Sequence, residues 1–381
     1  MSEDGARPLV LFLFSEVFAN GGIQRFNQTL LDAAARLGLS GLVLTLQDSN
    51  ASISNSVPRE RIKVIGFGGD RRGFALTLTE RLIRDRFDFI IIGHINLLSL
   101  VATMLMMRRS RQGKSILIAH GIEVWSGIGR LRRLALSRVG KILCVSHYTR
   151  QRILAQAPAL NPNHLVVFPN ALAEIWRQIT PTPYSAARPE RFILSVTRLE
   201  PGDRYKGIST VIEAFSMLAD DSLHYLIIGH GGDLPFLQLV AARCGVADRV
   251  HFLHGIGDSE LVSFYKNCLA FVLPSGKEGF GIVFLEAMFF GAPVIAASEK
   301  GAVDVVRDGE TGIAVRYGDT IAIKEAIERL HFDTNLRDRL CANGRSLVSD
   351  QGPFTFASFV ERTKAHLAPE GLGTGAAGTA P

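Results

Sequence analysis

Thirteen short apolar runs, spread through almost the whole chain, restrict this sequence to one broad class of fold. The first seven are Leu9–Phe14, Leu42–Leu46, Ile62–Ile65, Phe89–Ile92, Ser115–Ala119, Ile142–Val145 and Leu165–Phe168. They are rich in Val, Ile and Leu and nearly continuous, as expected of strands covered on both faces in a parallel sheet. Helical patterns such as Gln28–Leu37 and Leu76–Arg84 lie between them. The pattern pauses at Thr180–Glu190, a Pro- and Ala-rich stretch with no apolar period. A second series follows at Phe192–Val196, Tyr225–Ile228, Val250–Leu253, Ala270–Leu273, Val294–Ala297 and Ile313–Val315. Two such series predict an α/β protein of two doubly wound, Rossmann-like domains facing each other across a cleft.

The expected division is an N-terminal Rossmann-like domain at 1–185 and a C-terminal Rossmann-like domain at 190–350. A helical segment at 351–368 would pack back on the N-terminal domain, and 369–381 would be a disordered tail. The tail, PEGLGTGAAGTAP, is too poor in apolar residues to fold. The 381 residues fit two average domains, and 47% hydrophobic with 20% charged residues describes an ordinary cored protein. Cys144, Cys244, Cys268 and Cys341 lie far apart with no C-x-x-C or Cys/His grouping, which points to reduced thiols and argues against a structural zinc. No cofactor is expected. Met1–Arg7 is polar, Pro8–Phe14 is too short for a signal peptide, and Ile95–Met107 is shorter than the ~20 residues that span a bilayer. A cytoplasmic protein, peripheral on the inner face of the cytoplasmic membrane at most, is the expectation.

Charge divides unevenly. Residues 1–190 carry 24 Lys and Arg against 13 Asp and Glu, a net +11, and the remainder carries 18 against 23, a net −5. Basic clusters at Arg108, Arg109, Arg111 and Lys114 and at Arg130, Arg132, Arg133, Arg138 and Lys141 suit an anionic lipid surface, although solvated helix faces account for them nearly as well. Specific nucleic-acid binding is not expected, because no helix-turn-helix, RNP or zinc pattern occurs and no aromatics interleave the basic residues.

In doubly wound sheets the chemistry sits in the loops after the strands. The strongest such segment is Ala270–Pro293, AFVLPSGKEGFGIVFLEAMFFGAP. A strand ending at Leu273, a Gly-rich loop over Ser275–Gly281 and a helix from about Ile282 would bring backbone N–H groups and a helix N-terminus to an anion. Glu278 in the loop and Glu286 on the helix suit sugar hydroxyls, one reading a hexose and the other a ribose, with a diphosphate between them near Gly281. A second element, RLEPGDRYKGISTVIEAF, places Arg198 after a strand and Lys206 before a helix, where two cations suit a diphosphate. Arg204 competes with Lys206, which is preferred because Gly207 follows it. In Ile227–Asp233, IIGHGGD, the glycines Gly229, Gly231 and Gly232 would let a nucleotide pass close to the backbone.

The Glu278–Glu286 stretch resembles the E-x7-E signature of the family 4 retaining glycosyltransferases of the GT-B fold, of bacterial polysaccharide type, and the likeness extends over nearly the whole chain. The resemblance implies that Glu278 and the backbone of Gly279 and Phe280 hold the donor sugar and that Glu286 holds the ribose. It implies that Arg198 and Lys206 hold the diphosphate and that backbone atoms near Ile256 contact the base; His254 receives no role. Asn20-Gly21-Gly22 resembles the family's N-terminal glycine loop beneath the diphosphate. His120, in HGIEVW after the fifth run, is the candidate beside the reacting carbon, with Glu123 a weaker candidate toward the acceptor. Val145-Ser146-His147-Tyr148 and Pro169-Asn170-Ala171 match segments that line the cleft and hinge.

The activity implied is metal-independent transfer of a hexose, with retention, from a UDP- or GDP-hexose to a saccharide hydroxyl. A polyprenyl-diphosphate-linked acceptor in cell-surface polysaccharide synthesis would fit. No D-x-D pair is present to hold a metal, so cations and helix termini would neutralise the leaving group. No carboxylate is an evident nucleophile for double displacement, which favours front-face substitution with Glu278 orienting the sugar. A non-catalytic nucleotide-sugar-binding module, an epimerase or a phosphorylase on the same fold remain alternatives. A dinucleotide-dependent dehydrogenase lacks its G-x-G-x-x-G.

Overall fold

The computed structural model describes residues 8–19, 21–49, 51, 53, 60–106, 114–125, 127–185 and 188–367. Asn20, Arg108, Arg109, Arg111 and the Pro369–Pro381 tail therefore lie outside the described residues. All thirteen apolar runs form strands: β1 (Leu9–Phe14), β2 (Ser40–Thr45), β3 (Ile62–Gly66), β4 (Phe89–Ile92), β5 (Lys114–Ala119), β6 (Lys141–Cys144), β7 (Leu165–Val167), β8 (Phe192–Val196), β9 (His224–Ile228), β10 (Val250–Leu253), β11 (Ala270–Leu273), β12 (Val294–Ala297) and β13 (Ile313–Val315). The first seven make one sheet in the order β3-β2-β1-β4-β5-β6-β7, and the other six make a second, β10-β9-β8-β11-β12-β13. Every pairing between these strands is parallel.

The continuous apolarity of the strands has its cause in β1. Val10, Phe12 and Phe14 belong to the core on one face of the first sheet, while Leu11 and Leu13 belong to the core on the other. Both faces exclude water, so neither parity of side chain can be polar. The helices run further than their apolar patterns, spanning Gly22–Arg36 and Arg71–Arg84. The second is started by Asp70, whose side chain accepts from the N–H groups of Arg72 and Gly73, a capping bond that lies outside any apolar period.

The stretch 180–190 has no helix or strand among its described residues and lies on the C-terminal unit. The Tyr184 ring stacks on Phe192 at 5.6 Å, and the Thr182 N–H donates to the Ser259 carbonyl. At the far end the chain crosses back. The helix Phe356–Leu367 packs on Gly22–Arg36 through Phe359, whose ring lies 5.6 Å from Phe26 and 4.9 Å from Phe168. Lys141 is engaged there with His366 at 3.2 Å, which takes it out of the outward-facing basic cluster. No described helix is long and apolar enough to cross a membrane.

Candidate functional site

The strand orders fix where a ligand can sit. β1 lies between β2 and β4, and β8 lies between β9 and β11, so the winding of each sheet reverses beside its central strand. Loops leaving the carboxyl ends of the two strands at such a point diverge and open a crevice. The loops after β1 and β4 border this crevice in the first sheet, and those after β8 and β11 border it in the second.

On the C-terminal side the loop Pro274–Gly281 is held from both flanks. The Gly276 N–H donates to the Tyr205 carbonyl at 2.7 Å, Lys300 Nζ donates to the Gly276 carbonyl, and the Gly301 N–H donates to the Glu278 carbonyl at 3.0 Å. Gly207, at φ 78°, lies against the Pro274 carbonyl, an approach that no L side chain tolerates easily. This bracing puts Glu278 Oε2 2.8 Å from Lys206 Nζ, with side chains only 14% and 17% exposed. A carboxylate and an ammonium this sheltered satisfy one another, and either can be drawn away only by a ligand that replaces its partner.

The neighbouring cations separate by role. Arg204 turns aside, held bidentately by Asp233 and lying 4.0 Å over the Phe236 ring. Arg198 pairs with Asp203 at 3.2 Å and is well exposed. Lys206 and Lys277 both lie over the Tyr205 ring, whose hydroxyl donates to Asp203. Burial and the adjacent Asp203 and Glu278 carboxylates keep that phenol protonated.

Glu286 sits on the helix Ile282–Phe289, entered through Gly281 at φ 92°. It is 7% exposed and accepts from the Tyr265 hydroxyl at 3.2 Å. Burial pushes its carboxyl up to about 7, against the opposing pull of Arg25 from the other sheet's first helix, of Tyr265 and of Trp176. One buried group of the Pro274–Gly281 loop, the Ser275 hydroxyl, has no partner at hydrogen-bond geometry among the described residues.

On the N-terminal side the central residue is His120, 8% exposed at the end of β5. Its Nε2 lies 2.9 Å from the Gly93 carbonyl. A carbonyl only accepts, so Nε2 carries the hydrogen and Nδ1 presents a lone pair. Burial lowers the pKa of this ring and keeps it neutral. Glu123, expected toward the acceptor, braces this turn through Oε1, which accepts from the N–H groups of His120 and Gly121 at 2.6 and 3.1 Å.

The two sides touch through glycine. A methyl group on Gly279 would overlap the His120 carbonyl oxygen, and one on Gly121 would come within 2.8 Å of Gly279 Cα. A second bridge joins the domains at His147, whose backbone N–H and Nδ1 lie 2.8 and 3.1 Å from Asp304 Oδ2.

Other expected residues fall as follows. Gly21 caps the helix that begins at Gly22, and the loop before it is tied down by Gln24 and Asn27, which donate to Glu16, and by Gln28, which donates to Val17. Phe280 is buried with its ring 5.3 Å from Phe354, leaving its backbone to the site. Ile256 is half-buried and His254 exposed after β10. Gly229 and Gly231 have a packing reason to be glycine: side chains there would overlap the carbonyls of Thr197 and Leu199. Their smallness lets the loops after β8 and β9 pack backbone to backbone. Sequence reasoning missed Arg25, Trp176 and Tyr265 around Glu286. It also missed Lys300, which at φ 63° is the single described non-glycine residue in the left-handed region. The carboxyl end of β12 was the available signal for Lys300, since strain of this kind concentrates at ligand sites.

Comparison with known proteins follows this division of the molecule. Residues 20–173 match the model described as Glycosyltransferase Family 4, and residues 179–347 match Glycosyl transferases group 1. The GDP-mannose-dependent alpha-(1-6)-phosphatidylinositol monomannoside mannosyltransferase of Mycolicibacterium smegmatis is 32% identical over 267 residues, covering 64% of this chain and 67% of that protein. The chain belongs to the family 4 glycosyltransferases. The counterpart of that enzyme in Mycobacterium tuberculosis is 31% identical over 255 residues, 61% of this chain, and the match spans 64% of the relative's own length. Among solved structures, Anabaena HepE in complex with UDP and glucose superposes with a TM-score of 0.77 at 18% identity, covering 95% of this chain and 99% of that one. The fold of this family 4 member is GT-B, two parallel-sheet α/β domains joined across a cleft.

Proposed function

We propose that the protein is a metal-independent, retaining hexosyltransferase that transfers a hexose from a GDP- or UDP-sugar to a hydroxyl of a saccharide acceptor. The observation that carries this reading is the sheltered Lys206–Glu278 pair, set in a loop whose Gly279 abuts the His120 carbonyl of the opposite domain. The pair offers a cation for a diphosphate and a carboxylate for sugar hydroxyls, and the glycine contact puts both beside a neutral histidine. The names of the two mycobacterial relatives make GDP-mannose the first donor to try.

In this reading residues 190–350 bind donor and residues 1–185 bind acceptor. Lys206, Arg198 and the N–H groups at Gly281 and Gly21–Gly22 neutralise the diphosphate, doing electrostatically what a divalent metal does elsewhere. Glu278 and the backbone of Gly279 and Phe280 orient the hexose. Glu286, with Tyr265 behind it, accepts from the ribose hydroxyls, and the backbone near Gly229 and Ile256 borders the base. As the bond from the anomeric carbon to the phosphate oxygen breaks, the acceptor oxygen attacks from the same face. Its proton passes to the departing phosphate oxygen, so configuration is retained. The Nδ1 lone pair of His120 accepts from a sugar hydroxyl and holds the ring beside the incoming acceptor.

The helix Arg130–Leu136 supports docking on an anionic bilayer of the cytoplasmic face. Arg130, Arg133 and the following Arg138 are exposed, and Leu131 and Leu134 project beside them with 80% and 51% exposure. Basic heads flanking apolar side chains suit a headgroup layer, each cation contributing roughly 1 kcal/mol. A polyprenyl-diphosphate-linked acceptor would meet the protein there. The function is tested by incubating the protein with GDP-mannose, UDP-glucose and a membrane-lipid extract in the presence of chelator. Transfer of label to lipid is expected, and transfer that requires added Mg²⁺ would contradict the metal-independent site.

A further inference from the structure

The donor loop lies between two turns that belong to different domains. On one side a methyl group on Gly279 would overlap the His120 carbonyl oxygen, and on the other a methyl group on Gly301 would overlap the carbonyl oxygen of Gly279 itself. Three backbones are therefore stacked with no side chain between them: the His120 turn, the loop, and the short helical turn Lys300–Asp304 that follows β12. That turn grips the loop at two carbonyls, Lys300 Nζ donating to Gly276 and the Gly301 N–H to Glu278 at 3.0 Å. Lys300 reaches its carbonyl from φ 63°, a backbone conformation that disfavours an L side chain. At its other end the turn makes contact outside its own domain. Asp304, its side chain 11% exposed, accepts from the His147 N–H at 2.8 Å and lies 3.1 Å from Nδ1 of the same residue. His147 opens the helix His147–Gln156, whose Ser146 cap bonds the Thr149 N–H and leaves that of His147 to Asp304. Asp304 thus completes, from across the cleft, the start of a helix in the opposite domain, where a carboxylate is favoured. Ala119 and Cys144 are partners in the register of β5 and β6, so the His120 turn and the His147 helix leave adjacent strands and the contacts close into a ring.

We infer that Lys300 and Asp304 are positioning residues for Glu278: the turn they bound clamps the donor loop against the His120 turn, and the Asp304–His147 bond holds the clamp shut. The inference rests on the proposed transferase reading for its effect on turnover, while the clamp itself can be tested without activity. Asp304 makes no hydrogen bond or ion pair with the loop among the described residues, so an effect of its removal on the loop has to travel through the turn. Lys300 holds a strained backbone to set an ammonium on a neutral carbonyl; glycine would relieve the strain and lose the bond, which separates the shape of the turn from its grip. Glu278 follows the loop because Gly301 holds its carbonyl, while its carboxylate stays with Lys206. Opening the ring frees the carboxylate to shift relative to His120, which lowers turnover and spares the nucleotide contacts at Glu286.

Amide hydrogen exchange over residues 274–281 of the ligand-free full chain is compared in the native protein, D304A, D304N, K300G and the control E310A, whose exposed carboxylate pairs with Arg307 just past the turn. D304A and D304N are expected to speed exchange of the loop about tenfold and K300G about fivefold, with E310A within about twofold of native. K300G should keep or raise Tm, since glycine adopts a positive φ freely. In transfer assays D304A and K300G should lower kcat about tenfold with Kd for GDP or UDP within about twofold. D304E, which restores the carboxylate, should recover kcat to within about threefold of native. If D304A does not fold, D304N and K300G carry the same comparison. Loop exchange unchanged by loss of the Asp304 carboxylate overturns the clamp. So does unchanged kcat, or a loss of turnover matched by an equal loss of nucleotide affinity. A native chain that neither binds a nucleotide nor transfers sugar refutes the transferase reading instead, and loop exchange then decides the clamp alone.

Discussion

The two faces of the cleft are built by the same βα grammar and finished in opposite ways. On the C-terminal face the central charges already have partners: Lys206 with Glu278, Arg204 with Asp233, Arg198 with Asp203, and Glu286 with Tyr265. On the N-terminal face the central groups are neutral rings held by backbone, His120 on Gly93 and His94 on Asn96, and the nearby Arg132 has no carboxylate partner among the described residues. The net charge follows the same split, +11 for residues 1–190 and −5 for the rest. A face of internally neutralised pairs is organised for one ligand chemistry and releases a cation only to something that replaces the carboxylate.

The largest expected effect comes from breaking the pair at the centre of the ordered face. Glu278→Gln and Lys206→Ala should each reduce turnover by about 10³-fold, the scale of removing a preorganised electrostatic contact to the transition state. Arg204→Ala is the control: it strands the buried Asp233 and should lower Tm while leaving Kd for nucleotide within about twofold. A loss of turnover in R204A comparable to that in K206A would erase the distinction between the two cations.

Next is the contact between the faces. Gly279→Ala inserts a methyl group where the His120 carbonyl stands and should lower kcat about 10²-fold, a misplacement effect. Nucleotide affinity should hold, because the substitution leaves Lys206 and Glu286 in place. Equal loss of binding and turnover would instead mean that the donor loop has collapsed.

A smaller effect follows from Glu286. Its folded pKa, about 7, lies above the usual carboxylate value of 4.5. The folded state therefore holds more protons than the unfolded state between those values, and stability falls as pH rises through that window. Glu286→Gln should raise Tm at pH 8 and leave it nearly unchanged at pH 4.5. Ribose hydroxyls donating to Glu286 favour the ionised form, so affinity for a nucleotide-sugar, whose diphosphate does not titrate there, should rise by up to about tenfold from pH 6 to pH 8. In E286Q that slope should vanish. An unchanged slope would remove Glu286 from the ribose site.

The smallest effect concerns the outer surface of the N-terminal domain. Arg130→Gln with Arg133→Gln should reduce sedimentation with phosphatidylglycerol vesicles by about tenfold at low salt and leave GDP or UDP binding unaltered. Unchanged sedimentation would leave Leu131 and Leu134 without a membrane role.

The strands were legible because burial on both faces writes itself as uninterrupted Val, Ile and Leu, and the loop at Ser275–Gly281 was legible because a strand, glycines and a helix follow in immediate succession. Strand order was not, since pairing β1 with β4 and β8 with β11 depends on contacts far apart in the chain. The Lys206–Glu278 bond spans 72 positions and could be named only as two separate expectations. Arg25, Trp176 and Tyr265 come to Glu286 from three different segments, none carrying a local signal. Gly229 and Gly231 show a further reason that was not legible: side chains there would overlap the carbonyls of Thr197 and Leu199, from a loop about thirty positions earlier in the chain.

The central claim is that Lys206, while paired with Glu278, is the cation that a nucleotide diphosphate captures. Calorimetric titration of GDP-mannose and UDP-glucose into the native chain and K206A, with chelator present, tests it most directly. The account predicts single-site binding of one of the two sugars to the native chain and an affinity lower by at least about thirtyfold in K206A. Equal affinity in the two proteins, or binding that appears only when a divalent metal is restored, would contradict it.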